Sequence, residues 1–410
     1  MKTIYGKIIT IVFLAAVFYI GSATFPSTVS IIGSFLNGGQ AGILSAKDLI
    51  DREYRSMLDF SGYYLTDKGA YINLNGLMAR AMGQRYMNKR VKLDNNHLTY
   101  LNEETDITRS AIQMTKLYNS QKAKGKDFLL VLAPFQISKY EDMLPAGYTD
   151  YSNQNADNLL DALVENDVPT LDLRDVMHDE GIGHTEAFFV TDHHWTTETG
   201  FWGYCETIDF LVKSGVIDPI DSMYTDISEY NIEVYKDFFL GSSGKRTGSY
   251  YAGVDDFAVI TPKYDTNISV SIPDVSINKK GRFADVSFND AEIRLDYFSA
   301  NPYGAYGHGS YGMKHYRNEA APLELKVLAI GDSFSRVPFA FLPLVFSVCD
   351  QLDMRYYHED FASYYSEFNP DLLIVLTNPS QIAGKNYTFN YFNEIQVSDI
   401  EDDLPDDQQG

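Results

Sequence analysis

The chain is expected to fold as an α/β protein in which helices flank a parallel sheet and a β-rich insertion interrupts the core. Three features of the 410-residue sequence predict this. Apolar runs without a polar break follow helix-period segments several times, as buried parallel strands do when helices cover both faces. Between about residues 232 and 309 the texture changes to short alternating segments separated by Gly, Pro, Asn and Asp, the pattern of antiparallel strands and loops. Hydrophobic residues make up 45% and charged residues 22% of the chain, enough apolar material for a full core and too much for wholesale disorder.

Residues 1–25 read as an export signal or membrane anchor: Lys2 and Lys7 precede the apolar run Ile8 to Ile20, and Gly21-Ser22-Ala23 supplies the small residues a signal peptidase needs. Retention as an anchor is slightly favoured over cleavage, although a spanning helix needs about 20 apolar residues. A leader segment, 26–95, follows. The first part of the core is expected over 96–231, with a helix from Glu103 to Ser120 (Ile107, Ala111, Met114, Leu117 and Tyr118 on one face), a strand from Phe128 to Leu132, a helix from Asn158 to Asn166 and a short strand from Val168 to Leu173. The insertion occupies 232–320, with strand-like segments Asp256 to Thr261, Asn267 to Ile272 and Ile293 to Phe298. The core resumes over 321–392: a strand Leu325 to Ile330, a helix through Phe339 to Cys349, a strand near Met354 to Tyr357, a helix near Phe361 to Phe368, and a strand Leu372 to Leu376. Residues 393–410 form an acidic tail containing Glu401, Asp402, Asp403, Asp406 and Asp407, read as a solvated terminus.

A net charge of -23, from 33 basic and 56 acidic residues, repels phosphate backbones and argues against nucleic acid as a partner. Cys205 and Cys349 lie in apolar stretches and read as small buried hydrophobes. Neither a Cys-x-x-Cys nor a His-Glu-x-x-His motif is present, so no metal is expected, with a site built from His184, His193 and His194 as the alternative. No cofactor is implied.

Two stretches carry chemistry. Gly331-Asp332-Ser333-Phe334-Ser335 follows a strand and precedes a helix, which puts Ser333 on a tight turn with helix-start N–H groups nearby for an oxyanion. The bland reading of the same letters is a strand-to-helix turn capped by Asp or Ser. Thr191-Asp192-His193-His194-Trp195 can supply an imidazole to take the serine proton and a carboxylate to fix that imidazole. Here too a helix cap, at Thr196 or Thr197, is an alternative.

Together these stretches resemble the bacterial family named for its Asp-His-His-Trp motif, matched letter for letter by Asp192-His193-His194-Trp195, with further likeness through Gly331 to Ser335 and Leu352 to Tyr357. More distantly the chain is similar to the exported alginate O-acetyltransferases, whose domain resembles SGNH hydrolases with the His motif placed before the serine. The resemblance implies an SGNH-hydrolase-like sheet. It implies Ser333 as nucleophile, His194 as general base and acid, and Asp192 as the orienting carboxylate. Asn378, after the strand ending at Leu376, stands near the expected oxyanion position, though the full Gly-x-Asn-Asp signature is absent. Trp195 either packs under the loop or offers a stacking surface for a sugar, and Arg246 in the Gly-rich segment 241–248 is a candidate guide for an anionic substrate. The expected function is an exported acyltransferase or esterase acting on acetyl esters of a surface or secreted polysaccharide, with a membrane-bound O-acyltransferase as acetyl donor. The alternative is a non-catalytic cell-surface carbohydrate-binding or scaffold protein.

Overall fold

Why the apolar runs lack polar breaks is plain in the central strands. In β4 (Asp127–Leu132) Leu129 and Val131 face one core cluster while Phe128, Leu130 and Leu132 face another, so successive residues meet opposite apolar layers. The strands β11 (Leu323–Gly331) and β13 (Leu372–Thr377) split in the same way, with Val327, Ala329, Ile374 and Leu376 on the first side and Leu328, Ile330, Leu373 and Val375 on the second. Burying each Val, Leu, Ile or Phe among them contributes about 1.5–3 kcal/mol. A truncation such as Leu130→Ala, at 0% exposure, costs about 2–5 kcal/mol because the void stays unfilled.

The computed structural model describes residues 68–382 and Tyr391. The expected anchor and acidic tail lie outside the described residues. The chain divides at Asn75 into two units; of the first, only the opening of helix α1 (Lys68–Ala81) is described, and everything below belongs to the second, from Gly76 onward.

An eight-stranded sheet organises the second unit. Its parallel part runs β5 (Thr170–Asp172), β4, β13, β11 and β12 (Phe346–Leu352). Three antiparallel strands extend it at the β12 edge: β10 (Met313–Arg317), β8 (Ile268–Ile272) and β9 (Ile277–Gly281). Part of the β-rich segment therefore continues the core sheet, which is mixed and not purely parallel. The hairpin β6 (Tyr230–Phe239) and β7 (Asp255–Pro262) forms a two-stranded sheet of its own. Helices α2 (Thr108–Ala123), α3 (Ser152–Val164) and α10 (Phe361–Phe368) cover one face of the main sheet; α5 (Thr197–Lys213) and α9 (Arg336–Val345) cover the other. No helix among the described residues is long and apolar enough to cross a membrane.

Two expected elements are corrected. The helix expected through Cys349 stops at Val345, and the next strand is β12, not Met354 to Tyr357. The run Val337 to Val345 carries no polar residue, so its period shows no face, and pairing with β11 (Val327↔Cys349, Ile330↔Leu352) decides where extended backbone begins. Ile293 to Phe298 forms no strand; Leu295 is 67% exposed and the segment alternates without a partner strand to pair with.

Candidate active site

Strand β11 ends at Gly331, where a side chain would meet the Ser335 Oγ at 2.5 Å, so the turn admits only glycine there. Asp332 then accepts the Phe334 N–H at 2.7 Å and closes a 3-10 turn over Ser333–Ser335, ahead of α9. Its second carboxylate oxygen accepts the Asn378 amide at 3.0 Å. Burial pushes the Asp332 carboxyl up to about 6, against the pull of Arg355 and its turn hydrogen bond. Ser333 opens the turn, where backbone N–H groups have no intrahelical acceptor.

The second stretch is held by groups distant in sequence. Gln136 donates its amide to the carbonyls of Phe189 (2.7 Å) and Asp192 (2.6 Å). Asp255, at the start of β7, accepts the N–H groups of Val190 and Thr191 at 2.8 and 2.9 Å and the Thr191 hydroxyl at 2.5 Å. Thr191 Oγ in turn accepts the Gly241 N–H at 2.7 Å. Gly241 passes so close that an added Cβ would sit 2.2 Å from the Asp192 Cβ, and the next N–H, that of Ser242, reaches Asp192 Oδ2 at 2.5 Å. Thr196 caps α5 by accepting the Thr199 N–H, so the capping reading of this segment holds as well.

These two loops converge. His194 donates Nδ1–H to Asp192 Oδ1 at 2.5 Å, and its Nε2 lies 2.8 Å from Ser333 Oγ, an acceptor for the hydroxyl proton across 139 residues of chain. All three side chains are buried, with residue exposures of 4%, 6% and 9% for Asp192, His194 and Ser333. Burial alone would raise the Asp192 carboxyl, but the two adjacent imidazoles and the Ser242 N–H hold it well below the usual carboxylate range. Burial lowers His194 despite the attraction of Asp192, which keeps the ring neutral and basic at Nε2. The ring of Tyr303 stacks on His194 at 4.2 Å, and Phe334 packs at 4.9 Å. His193 donates to or accepts from Ser242 Oγ at 3.1 Å, and burial and His194 push it down to about 3.

Asp192, His193 and His194 bring potential metal-ligating atoms within 4.8 Å of one another. Both ring nitrogens of His194 already face Asp192 and Ser333, so a cation there would have to displace those bonds. His184, the third histidine of the alternative site, instead donates to the Gln136 carbonyl at 3.1 Å.

Trp195 is fully buried; its indole N–H reaches the Phe334 carbonyl (3.1 Å) and the Tyr303 hydroxyl (3.2 Å). The sugar-stacking expectation is therefore corrected: the ring ties the histidine loop to the serine turn and has no free face. Asn378 is also fully buried, its amide on Asp332 and its oxygen accepting from Ser380. Arg246 is exposed on a short helix, with its carbonyl accepting from Asn88. Gln136, Ser242, Asp255 and Tyr303 went unseen in the sequence. Only Ser242 had a local signal, the Gly-rich segment around it.

Residues 93–202 match a family described as the SGNH hydrolase-like domain of the acetyltransferase AlgX; this span contains Asp192 to Trp195, and Ser333 lies outside it. No curated protein matches the chain. Among solved structures, PatB1 of Bacillus cereus, described with a sulfonyl adduct, aligns with a TM-score of 0.59 at 18% identity, over 74% of this chain and 99% of PatB1. A DHHW family protein of Eubacterium siraeum aligns with a TM-score of 0.56 at 14% identity, over 78% of this chain and 97% of that one. The chain thus carries a region similar to the SGNH hydrolase-like acetyltransferase domain, within a fold shared with PatB1 and a DHHW family protein.

Proposed function

We propose that this protein is an exported serine acyltransferase or esterase that adds or removes acetyl groups on hydroxyls of a surface or secreted polysaccharide. The observation that carries the reading is the 2.8 Å approach of Ser333 Oγ to a His194 ring whose other nitrogen is bonded to Asp192. The match to an acetyltransferase domain family supports the acyl group as cargo, and the N-terminal sequence supports export, with residues 1–25 as tether.

In this reading Ser333 Oγ attacks the ester carbonyl carbon while His194 Nε2 takes the hydroxyl proton. Asp192 steadies the resulting imidazolium. The negative oxygen of the tetrahedral adduct is met by the Ser333 N–H and by the second N–H of the Asn378 amide, beyond the one given to Asp332. Collapse breaks the bond to the leaving alcohol, which receives the proton from His194, and acyl-Ser333 remains. An acceptor hydroxyl then gives its proton to His194 and attacks the acyl carbon; the bond to Ser333 Oγ breaks, and that oxygen takes the proton back from His194, restoring the free serine. A membrane-bound O-acyltransferase is the proposed acetyl donor. Transfer and hydrolysis differ only in whether a sugar hydroxyl or water performs the last attack.

The test follows from chemistry PatB1 has undergone. An aryl sulfonyl fluoride should add one sulfonyl group to the purified protein, located at Ser333 by peptide mass spectrometry and lost in Ser333→Ala. Absence of any adduct on folded protein overturns the nucleophile assignment. With an acetylated donor and a polysaccharide acceptor, acetate release with no glycan acetylation leaves esterase and removes transferase.

A further inference from the structure

Helix α1 turns its small residues inward and its large apolar ones outward. Gly76 and Ala79 are buried, and Gly76 lies so close to the Thr247 carbonyl that an added Cβ would sit 2.2 Å from that oxygen. At about 100° per residue, Leu77, Met78, Ala81 and Met82 fall on the opposite side of the helix. All four are exposed, Met78 by 56% and Met82 by 63%. Tyr86, just past the helix, and Tyr250, whose carbonyl accepts from Arg80 at 3.1 Å, are also more than half exposed. A helix face turned to water is ordinarily polar, and a contiguous apolar one marks a contact surface.

The same segment is strongly basic. From Gly76 to Leu93 the sequence holds Arg80, Arg85, Lys89, Arg90 and Lys92 and no acidic residue, in a chain whose net charge is -23. Three hydrogen bonds join it to segment 238–254, which is also free of acids. The Asn88 amide donates to the Arg246 carbonyl at 2.6 Å, Arg90 to Ser243 Oγ at 2.9 Å, and Lys92 to the Tyr251 carbonyl at 3.0 Å. Burial and then the charge of Arg246 lower the Arg90 guanidinium, which puts these two cations side by side. Asp94 pairs with Arg85 at 3.2 Å, whereas Arg80, Lys89 and Arg246 have no acidic partner among the described residues.

We propose that this patch docks the protein onto an anionic lipid surface: Leu77, Met78 and Met82 enter the headgroup layer, and Arg80, Lys89 and Arg246 meet lipid phosphates. Such an interface takes apolar side chains out of water while long basic ones flank them and reach the headgroups. Charge complementarity selects this occupant and its orientation, because the acidic remainder of the chain is repelled by the same surface. The contact is separate from any tether in residues 1–25, and it stands whether or not Ser333 transfers acyl groups. It also sets the catalytic loop near the lipid, since Ser243, held by Arg90, follows the Ser242 whose N–H bonds Asp192.

The test is hydroxyl-radical footprinting of the full-length protein. Oxidation rates of Met78 and Met82 are read by peptide mass spectrometry, with Met223, outside the patch, as the internal control. Vesicles of phosphatidylcholine alone are compared with vesicles in which about 30% is phosphatidylglycerol. The expected result is oxidation of both methionines about fivefold slower on the anionic vesicles, with Met223 unchanged and the difference shrinking in about 0.5 M salt. Arg80→Glu combined with Lys89→Glu should abolish the slowing, and Leu77→Gln should weaken it at Met82, each in protein with native melting. Equal oxidation on the two lipids, which needs no variant to observe, overturns the proposal, as does undiminished slowing in the folded double variant. Slowing by soluble polygalacturonate as large as that by anionic vesicles overturns it in favour of an acidic glycan. Slowing without vesicles that grows with protein concentration overturns it in favour of a second copy of the chain.

Discussion

Replacing Asp192 by Asn changes one atom and tests the whole acyl-serine scheme. Three donors converge on this carboxylate: the His194 N–H at 3.1 Å and its Nδ1–H at 2.5 Å on one oxygen, and the Ser242 N–H at 2.5 Å on the other. An amide has one acceptor oxygen, so its NH2 must oppose a donor in either orientation. Facing Ser242 it leaves that N–H unmet, at about 1–3 kcal/mol. Facing His194 it forces the ring to carry its proton on Nε2, which removes the lone pair that Ser333 needs. Loss of tautomer control in a serine triad lowers kcat by about 10⁴-fold, or roughly 5 kcal/mol of barrier at about 1.4 kcal/mol per factor of ten. The assay is release of p-nitrophenol from p-nitrophenyl acetate under saturating substrate, with melting temperature as the control for folding. A kcat within about threefold of the original in a folded Asp192→Asn protein would show that this carboxylate does not govern the base, and the scheme fails.

The pH profile follows from the buried ring. Because burial lowers His194 from its ordinary 6.5, the base is neutral at and above that pH, and activity should fall only below it; an acid limb centred above 6.5 contradicts the assignment. Gly241→Ala places a methyl 2.2 Å from the Asp192 Cβ, so stability should drop by about 1–3 kcal/mol and esterase activity should fall with it, checked by thermal melting and kcat. His97 is buried with neither ring nitrogen hydrogen-bonded among the described residues, and burial pushes it down to about 4. The unfolded chain therefore takes up that proton first, so stability is intact above 6.5 and declines as pH falls toward about 4; His97→Leu should flatten this part of a melting-temperature profile.

Much of the site was legible because its parts are local. Asp192 and His194 sit two residues apart in one loop, which lets a carboxylate and an imidazole meet without help from the rest of the chain. Ser333 was marked by an apolar strand running into Gly331-Asp332, and the same two letters that read as a cap do form one. The capping reading of these segments holds, and the same capped starts are what bring His194 to Ser333. The stretch β12 was not legible, because a run buried on all sides carries no period to separate helix from strand.

By itself the sequence determined the alternation of helices and doubly buried strands, the acidic balance of the chain, and the residue types able to transfer a proton from an alcohol. Tertiary structure alone decided that His194 meets Ser333 across 139 residues, that Asp255 and Gln136 brace the loop between them, and that Trp195 is a strut inside the core. It also decided that β8, β9 and β10 join the edge of the main sheet. The reason is physical: spacing along a chain reports neighbours within a turn or a strand, whereas hydrogen bonds between distant segments depend on which sheet edges and loops the packed core brings together.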